Sequence, residues 1–159
     1  MRTGKPLVLG IGNLLLGDEG IGVLAAKRLA ATEMAAQAEI VDGGTGGFHL
    51  LALLHDHEHV ILIDAALDGR PPGTITRLRP RFAADFPKSL SAHDIGLRDL
   101  VEAAVLLGGL PRIDLITVSI EAIGSMGLAV SDPVLSALAG IEETVRGILE
   151  EGGAGAKIR

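Results

Sequence analysis

The sequence predicts an α/β fold in which helices cover both faces of a mainly parallel, twisted sheet of about five strands. Strand-like apolar runs alternate with helix-like stripes from one end of the chain to the other, the order that builds such layers. The chain has 159 residues, enough for one domain that buries roughly 70% of the surface its unfolded form exposes. Hydrophobic residues make up 48%, with three Phe and no Trp or Tyr. The core must therefore be built from Leu, Ile, Val and Ala.

Taken in order, Leu7 to Ile11 reads as a buried first strand, followed by a helix whose apolar stripe is Ile21, Leu24, Ala25 and Leu29. Glu39 to Val41 starts a short second strand. Beyond Asp42 the loop Gly43-Gly44-Thr45-Gly46-Gly47 leads to a short helix through Leu54, and Val60 to Ile63 forms a third strand. Thr74 to Leu78 alternates as an edge strand does, and Arg79 to Ser91, with Pro80 and Pro87, reads as a long irregular loop. Ser91 and Asp94 have capping-box-like spacing for a helix with the stripe Leu97, Leu100, Val101 and Ala104, ending at Gly108-Gly109. His93 falls in its first turn. Leu115 to Ile120 is a last buried strand. Asp132-Pro133 starts a final helix with Val134, Leu138, Ile141, Val145 and Ile148 facing the core. The domain is expected to span residues 1–150, with Glu151 to Arg159 as a flexible tail.

Composition excludes several classes of function. A net charge of -6 and a pI near 5.3 leave no basic footprint for nucleic acid, and too few aromatics remain to stack on bases. Mean hydropathy is +0.43, yet every apolar run is interrupted well short of the ~20 residues that span a bilayer. Met1 to Lys5 carries charge without the apolar stretch of a signal peptide, which predicts a cytoplasmic location. The absence of Cys agrees with a reducing compartment. It also removes thiolate ligands and a Cys nucleophile, so any metal must be held by nitrogen and oxygen.

In an open parallel sheet, ligands bind beyond the carboxyl ends of the strands. Three acids meet that rule: Glu19 in the turn after strand one, Asp42 at the end of strand two, and Asp64 after Val60-Ile61-Leu62-Ile63. Each also has an ordinary structural explanation as a helix cap or turn residue. A carboxylate closing an apolar strand still needs a cation, a helix N-terminus or a hydrogen-bond donor. His93 has the same two readings, capping residue or ligand, and the positive end of its helix favours the neutral imidazole a metal requires. The run His55-Asp56-His57-Glu58-His59 is richer in ligands by count. It lies at the start of strand three, opposite the expected active edge, and reads as a solvated connection.

Gly10-Ile11-Gly12 suggests a dinucleotide turn, but position 15 is Leu15 where a third glycine belongs, and Asp42 lies 30 residues after Gly12 instead of about 20 from the turn to the ribose anchor. No G-x-S-x-G elbow occurs, and Ser119, Ser125 and Ser131 have no neighbouring base visible in the sequence.

Leu9-Gly10-Ile11-Gly12-Asn13, Leu15-Leu16-Gly17-Asp18-Glu19-Gly20-Ile21-Gly22, Asp42-Gly43-Gly44-Thr45, Leu62-Ile63-Asp64-Ala65 and Ser91-Ala92-His93-Asp94-Ile95-Gly96-Leu97 together resemble the hydrogenase maturation proteases. The segments appear in that family's order and cover most of the chain. The resemblance implies an α/β/α sandwich, and nickel coordinated by Glu19, Asp64 and His93. It implies removal of a C-terminal extension from the nickel-loaded precursor of a nickel-iron hydrogenase large subunit. Ser119-Ile120-Glu121-Ala122 departs from the family, many members of which have Pro after the acid, and Gly69 to Leu90 matches weakly.

One imidazole and two carboxylates suit nickel, or zinc and other divalent ions, while leaving positions open for water and substrate. The nickel is either resident or supplied by the precursor. Asp42 and Thr45 are candidates for supporting the ligands or orienting the substrate. The competing readings are a non-catalytic, nickel-dependent precursor-binding or chaperone-like module that uses the same three ligands, and a nucleotide-binding α/β enzyme.

Overall fold

Strand β1, Leu7–Ile11, is buried at every position and lies inside the sheet, with a strand on either side. The other strands are β2 (Glu39–Gly44), β3 (His59–Ala66), β4 (Ile75–Leu78) and β5 (Arg112–Ser119), in the order β2-β1-β3-β5-β4. Four run parallel, and β4 pairs antiparallel with β5 at the edge, as its alternation predicts. The computed structural model describes residues 4–45, 49–90, 97–122 and 129–158.

Side-chain alternation divides the apolar residues between two cores. Val8, Ile61, Ile63, Ile116 and Val118 face the layer of α1 (Ile21–Ala30) and α5 (Ala137–Ile158). Leu7, Leu9, Val60, Leu62 and Leu115 face α2 (His49–Asp56) and α3 (Leu97–Leu106). Strands buried on both sides read as unbroken apolar runs, which is why β1, β3 and β5 were plain in the sequence. The result is the three-layer α/β/α sandwich.

Several boundaries differ from expectation, among them that of β5, which starts at Arg112 instead of Leu115 and ends at Ser119 instead of Ile120. β3 continues past Asp64 to Ala66, because its ladder with β5 holds through Ala66↔Ser119. The final helix begins as the short α4 (Asp132–Leu135), with Pro133 in its first turn, and resumes as α5 from Ala137. The tail expected from Glu151 onward is instead helical as far as Ile158. There Glu151 faces Arg77 and Arg79 on the edge strand side, at 2.8 Å from each. A helix stripe that looks finished at Ile148 is thus extended by ionic partners more than seventy positions away.

The long loop after β4 holds a 3-10 turn at Ala83–Asp85 and then returns to the sheet. Leu90 bridges Ala66 in antiparallel sense, and the Leu67 N–H donates to Ser89 O at 2.8 Å. Ser89 and Leu90 therefore stand beside the carboxyl end of β3. Among the described residues no helix is long and apolar enough to cross a membrane.

Candidate active site

The first βα turn packs more tightly on the sheet than any side chain would allow. A Cβ at Gly22 would lie 2.2 Å from Ile11 O and 2.4 Å from Ile63 O, and one at Gly12 would lie 2.2 Å from Glu19 O. Gly10 and Gly12, which suggested a dinucleotide turn, serve with Gly22 to let α1 and the turn before it settle onto β1 and β3, a Cβ at Gly10 falling 2.1 Å from Gly22 O. Gly17, at φ 56°, starts the 3-10 turn Gly17–Gly20, and the Asn13 N–H closes the loop on Glu19 O at 3.2 Å.

This turn packs against β3. It carries Glu19 to the edge where Asp64 stands, and both residues are 0% exposed. Asp64 Oδ1 accepts the N–H of its own neighbour Ala65 at 2.8 Å. Two carboxylates buried at one sheet edge are stable only where cations or donors meet them, since an uncompensated buried charge costs several kcal/mol. Asp18, the neighbour of Glu19, has a different task. Its carboxylate accepts the Ser131 N–H at 2.7 Å and the Ser131 hydroxyl at 2.8 Å, fixing the start of α4.

Asp42 and Thr45 are exposed at the same carboxyl edge, with β1 between them and β3. Asp42 Oδ1 accepts the Gly44 N–H at 2.9 Å, and Gly44 has φ 57°, so Asp42 acts at least as a turn former. His93, with Ser91 and Asp94, lies outside the described residues. Among those described, no group of three His, Cys, Asp or Glu is placed to hold an ion.

The histidine cluster is where the structure departs most from expectation. His55 is exposed, but His57 and His59 are 2% and 9% exposed and far from solvated. The ring nitrogens of His57 face Leu53 O and Glu39 Oε2, each at 2.7 Å. His59 Nε2 donates to Asp114 Oδ2 at 2.7 Å, and its Nδ1 accepts from Arg112 at 3.0 Å. Both rings are committed to the fold, which leaves neither of them a nitrogen for a metal. Asp114 also meets Arg77 at 3.0 Å and Arg79 at 3.2 Å. Burial opposes its ionisation, but hydrogen bonds from His59 and Arg77 outweigh that cost and hold its carboxyl down at about 2. All of this lies at the amino end of β3 and β5, the opposite edge from Glu19 and Asp64.

One polar residue near the site, Ser119, reads in the sequence only as a nucleophile without a base. Ser119 is 0% exposed at the end of β5, and its Oγ has no hydrogen-bond partner among the described residues. The signal was the alternation Leu115-x-Thr117-x-Ser119, which runs in phase with Leu62-x-Asp64 on the neighbouring strand.

The sequence model of the hydrogenase maturation proteases matches residues 23–148. The chain belongs to that family. Its matched stretch includes Asp64 and His93 and begins just after Glu19. Among family relatives, a hydrogenase expression/formation protein HupD of Rhodobacter capsulatus is 40% identical over 110 residues, 67% of this chain and 52% of that protein. The hydrogenase 2 maturation protease of Escherichia coli is 38% identical over 109 residues, 67% of this chain and 66% of that protein. The chain thus spans about half the length of the first of these curated relatives. The solved structure of the hydrogenase-maturating endopeptidase HybD from Escherichia coli superposes with a TM-score of 0.81 at 33% identity, covering 96% of this chain and 94% of that one. The maturation protease HybD from Thermococcus kodakarensis gives 0.75 at 25% identity, covering 94% and 99%. The family's α/β fold is the fold described above.

Proposed function

We propose that this chain is an endopeptidase that removes a C-terminal extension from the nickel-loaded precursor of a nickel-iron hydrogenase large subunit, in the cytoplasm, using Glu19, Asp64 and His93 as metal ligands. The observation that carries this reading is the pair of fully buried carboxylates, Glu19 and Asp64, brought to one edge of the sheet by elements that pack together. Leu90, three residues before His93, is bridged to Ala66, so the chain is led to this edge just ahead of the histidine.

The donor set fits the group. Two buried carboxylates supply charge, and one imidazole adds a nitrogen, a combination suited to nickel or zinc. Bound there, a divalent ion would polarise a scissile carbonyl and acidify a water. The remaining work falls to the protein. Glu19 and Asp64 lie in a water-poor edge, and a carboxylate oxygen there takes the proton of the attacking water. Asp42 and Thr45, exposed on the adjoining loop, orient the peptide as it crosses the edge.

The test is incubation of the purified chain with a nickel-loaded large-subunit precursor, followed by mass analysis. A single shortened product whose lost mass equals a C-terminal segment is expected. Tight binding of the precursor without any shortening would replace the protease by the precursor-binding module.

A further inference from the structure

We propose that Ser119 is a positioning residue for Asp64: its hydroxyl donates to the Asp64 carboxylate, directly or through one water, when Asp64 holds its metal ion. The inference rests on the ligand assignment above and extends it to a residue outside the ligand set.

The argument begins with register. β3 and β5 run parallel with Asp64 opposite Thr117 and Ala66 opposite Ser119. Paired residues in a parallel ladder project to the same face, and residues two apart on one strand share it. Asp64, Thr117 and Ser119 therefore lie on one face, the face that Leu62 and Leu115 occupy one step deeper. Ser119 is the diagonal neighbour of Asp64, roughly 8 Å away between Cα atoms, from a strand spacing of about 4.8 Å and a rise of about 3.3 Å per residue. A serine and an aspartate at that separation meet through one water or by a rotamer change.

The second step is the direction of the carboxylate. Asp64 Oδ1 accepts the Ala65 N–H, which inclines the group toward the carboxyl end of its strand, the end where Ser119 stands. The third is the state of the hydroxyl. Ser119 is fully buried, its backbone is satisfied by Thr74 O and the Gly73 N–H, and yet its Oγ has no hydrogen-bond partner among the described residues. A buried hydroxyl without a partner is a cost that an alanine would avoid. It becomes useful once a neighbouring carboxylate commits an oxygen to a metal, because ligating carboxylates are held in place by donors behind them.

The experiment is calorimetric titration of the full chain with nickel ion, comparing wild type, Ser119→Ala, Ser119→Thr and Asp64→Asn, with thermal unfolding of each metal-free protein alongside. The heat lost in Asp64→Asn defines the site. Ser119→Ala is expected to weaken nickel binding about 10- to 100-fold while its thermal midpoint holds or rises. Ser119→Thr, which keeps a hydroxyl, stays closer to wild type. Should Ser119→Ala bind nickel as tightly as wild type, the inference falls and the ligand assignment stands. Should wild type and Asp64→Asn give the same heat, the ligand assignment falls and takes the inference with it.

Discussion

Asp18 and Glu19 are chain neighbours of the same chemical type with opposite duties. Asp18 spends both oxygens on Ser131 and anchors the start of α4, whereas Glu19 is turned inward to the edge of β3 and is fully buried. Like charges buried at one edge strain the fold when no cation lies between them. In metal-free protein, Asp64→Asn removes one such charge from the Glu19 edge. Its thermal midpoint should hold or rise while precursor cleavage is lost, and unfolding and cleavage measured on one preparation check both halves. His93→Ala should likewise abolish cleavage with little change in stability. Were Asp64 only a capping residue, Asp64→Asn would leave processing near normal and Asp64→Ala would cost about 0.5–2 kcal/mol. The acids at this edge could be found in the sequence because strand ends can be read from apolar runs. The burial of His57 and His59 could not, because it depends on Glu39 and Asp114, 18 and 55 residues away. A run of five polar residues looks solvated until its partners are known.

Between elements, the decisive contact is that of α1 with the ends of β1 and β3. Helix propensity favours Ala over Gly by roughly 1 kcal/mol within a helix, so an alanine at Gly22 would improve an isolated α1. In the folded chain its Cβ would meet the backbone oxygens of two strands, which cannot rotate away. Gly22→Ala should therefore destabilise by about 3 kcal/mol, at the upper end of overpacking costs. It should also depress cleavage, since lifting α1 carries the Glu19 turn with it. Gly147 in α5 is the control, because a Cβ there meets nothing within 4 Å. Gly147→Ala should stabilise by about 0.5–1 kcal/mol and leave processing unchanged. Equal midpoints for the two variants would show that α1 has room to move. The sequence displays Gly10 and Gly12, on the other side of this contact, but offers nucleotide binding as their reason. Close packing is a second use of the same pattern, and only the geometry separates the two.

Across the whole molecule, the two ends of the sheet divide the labour. The carboxyl end gathers the buried acids Glu19 and Asp64, and the amino end gathers a network of ion pairs. Asp114 sits in the middle of the second group, with His59, Arg77 and Arg79 around it and Glu151 of α5 joined to the same two arginines. Hydrogen bonding by Arg77, ahead of desolvation by burial, lowers the Glu151 carboxyl, so α5 is held to the edge strand by an ion pair at neutral pH. None of this could be read from the sequence, because it joins positions on β3, β4, β5 and α5 that only folding brings together. Its pH dependence follows from Asp114, whose carboxyl is lowered from 3.8 to about 2 on folding. A group with a depressed pKa contributes its stability above the unfolded value and loses it as pH falls through the folded one. The contribution should be complete above about pH 4 and should vanish between there and pH 2, with a size of about 2 kcal/mol. Asp114→Asn keeps the shape and much of the hydrogen bonding but not the charge. The stability gap between wild type and this variant, from denaturant unfolding at each pH, should be constant from pH 7 to 5 and close steeply below 4. A gap that stayed open at pH 2 would place the strength of this network in its packing and not in its charge.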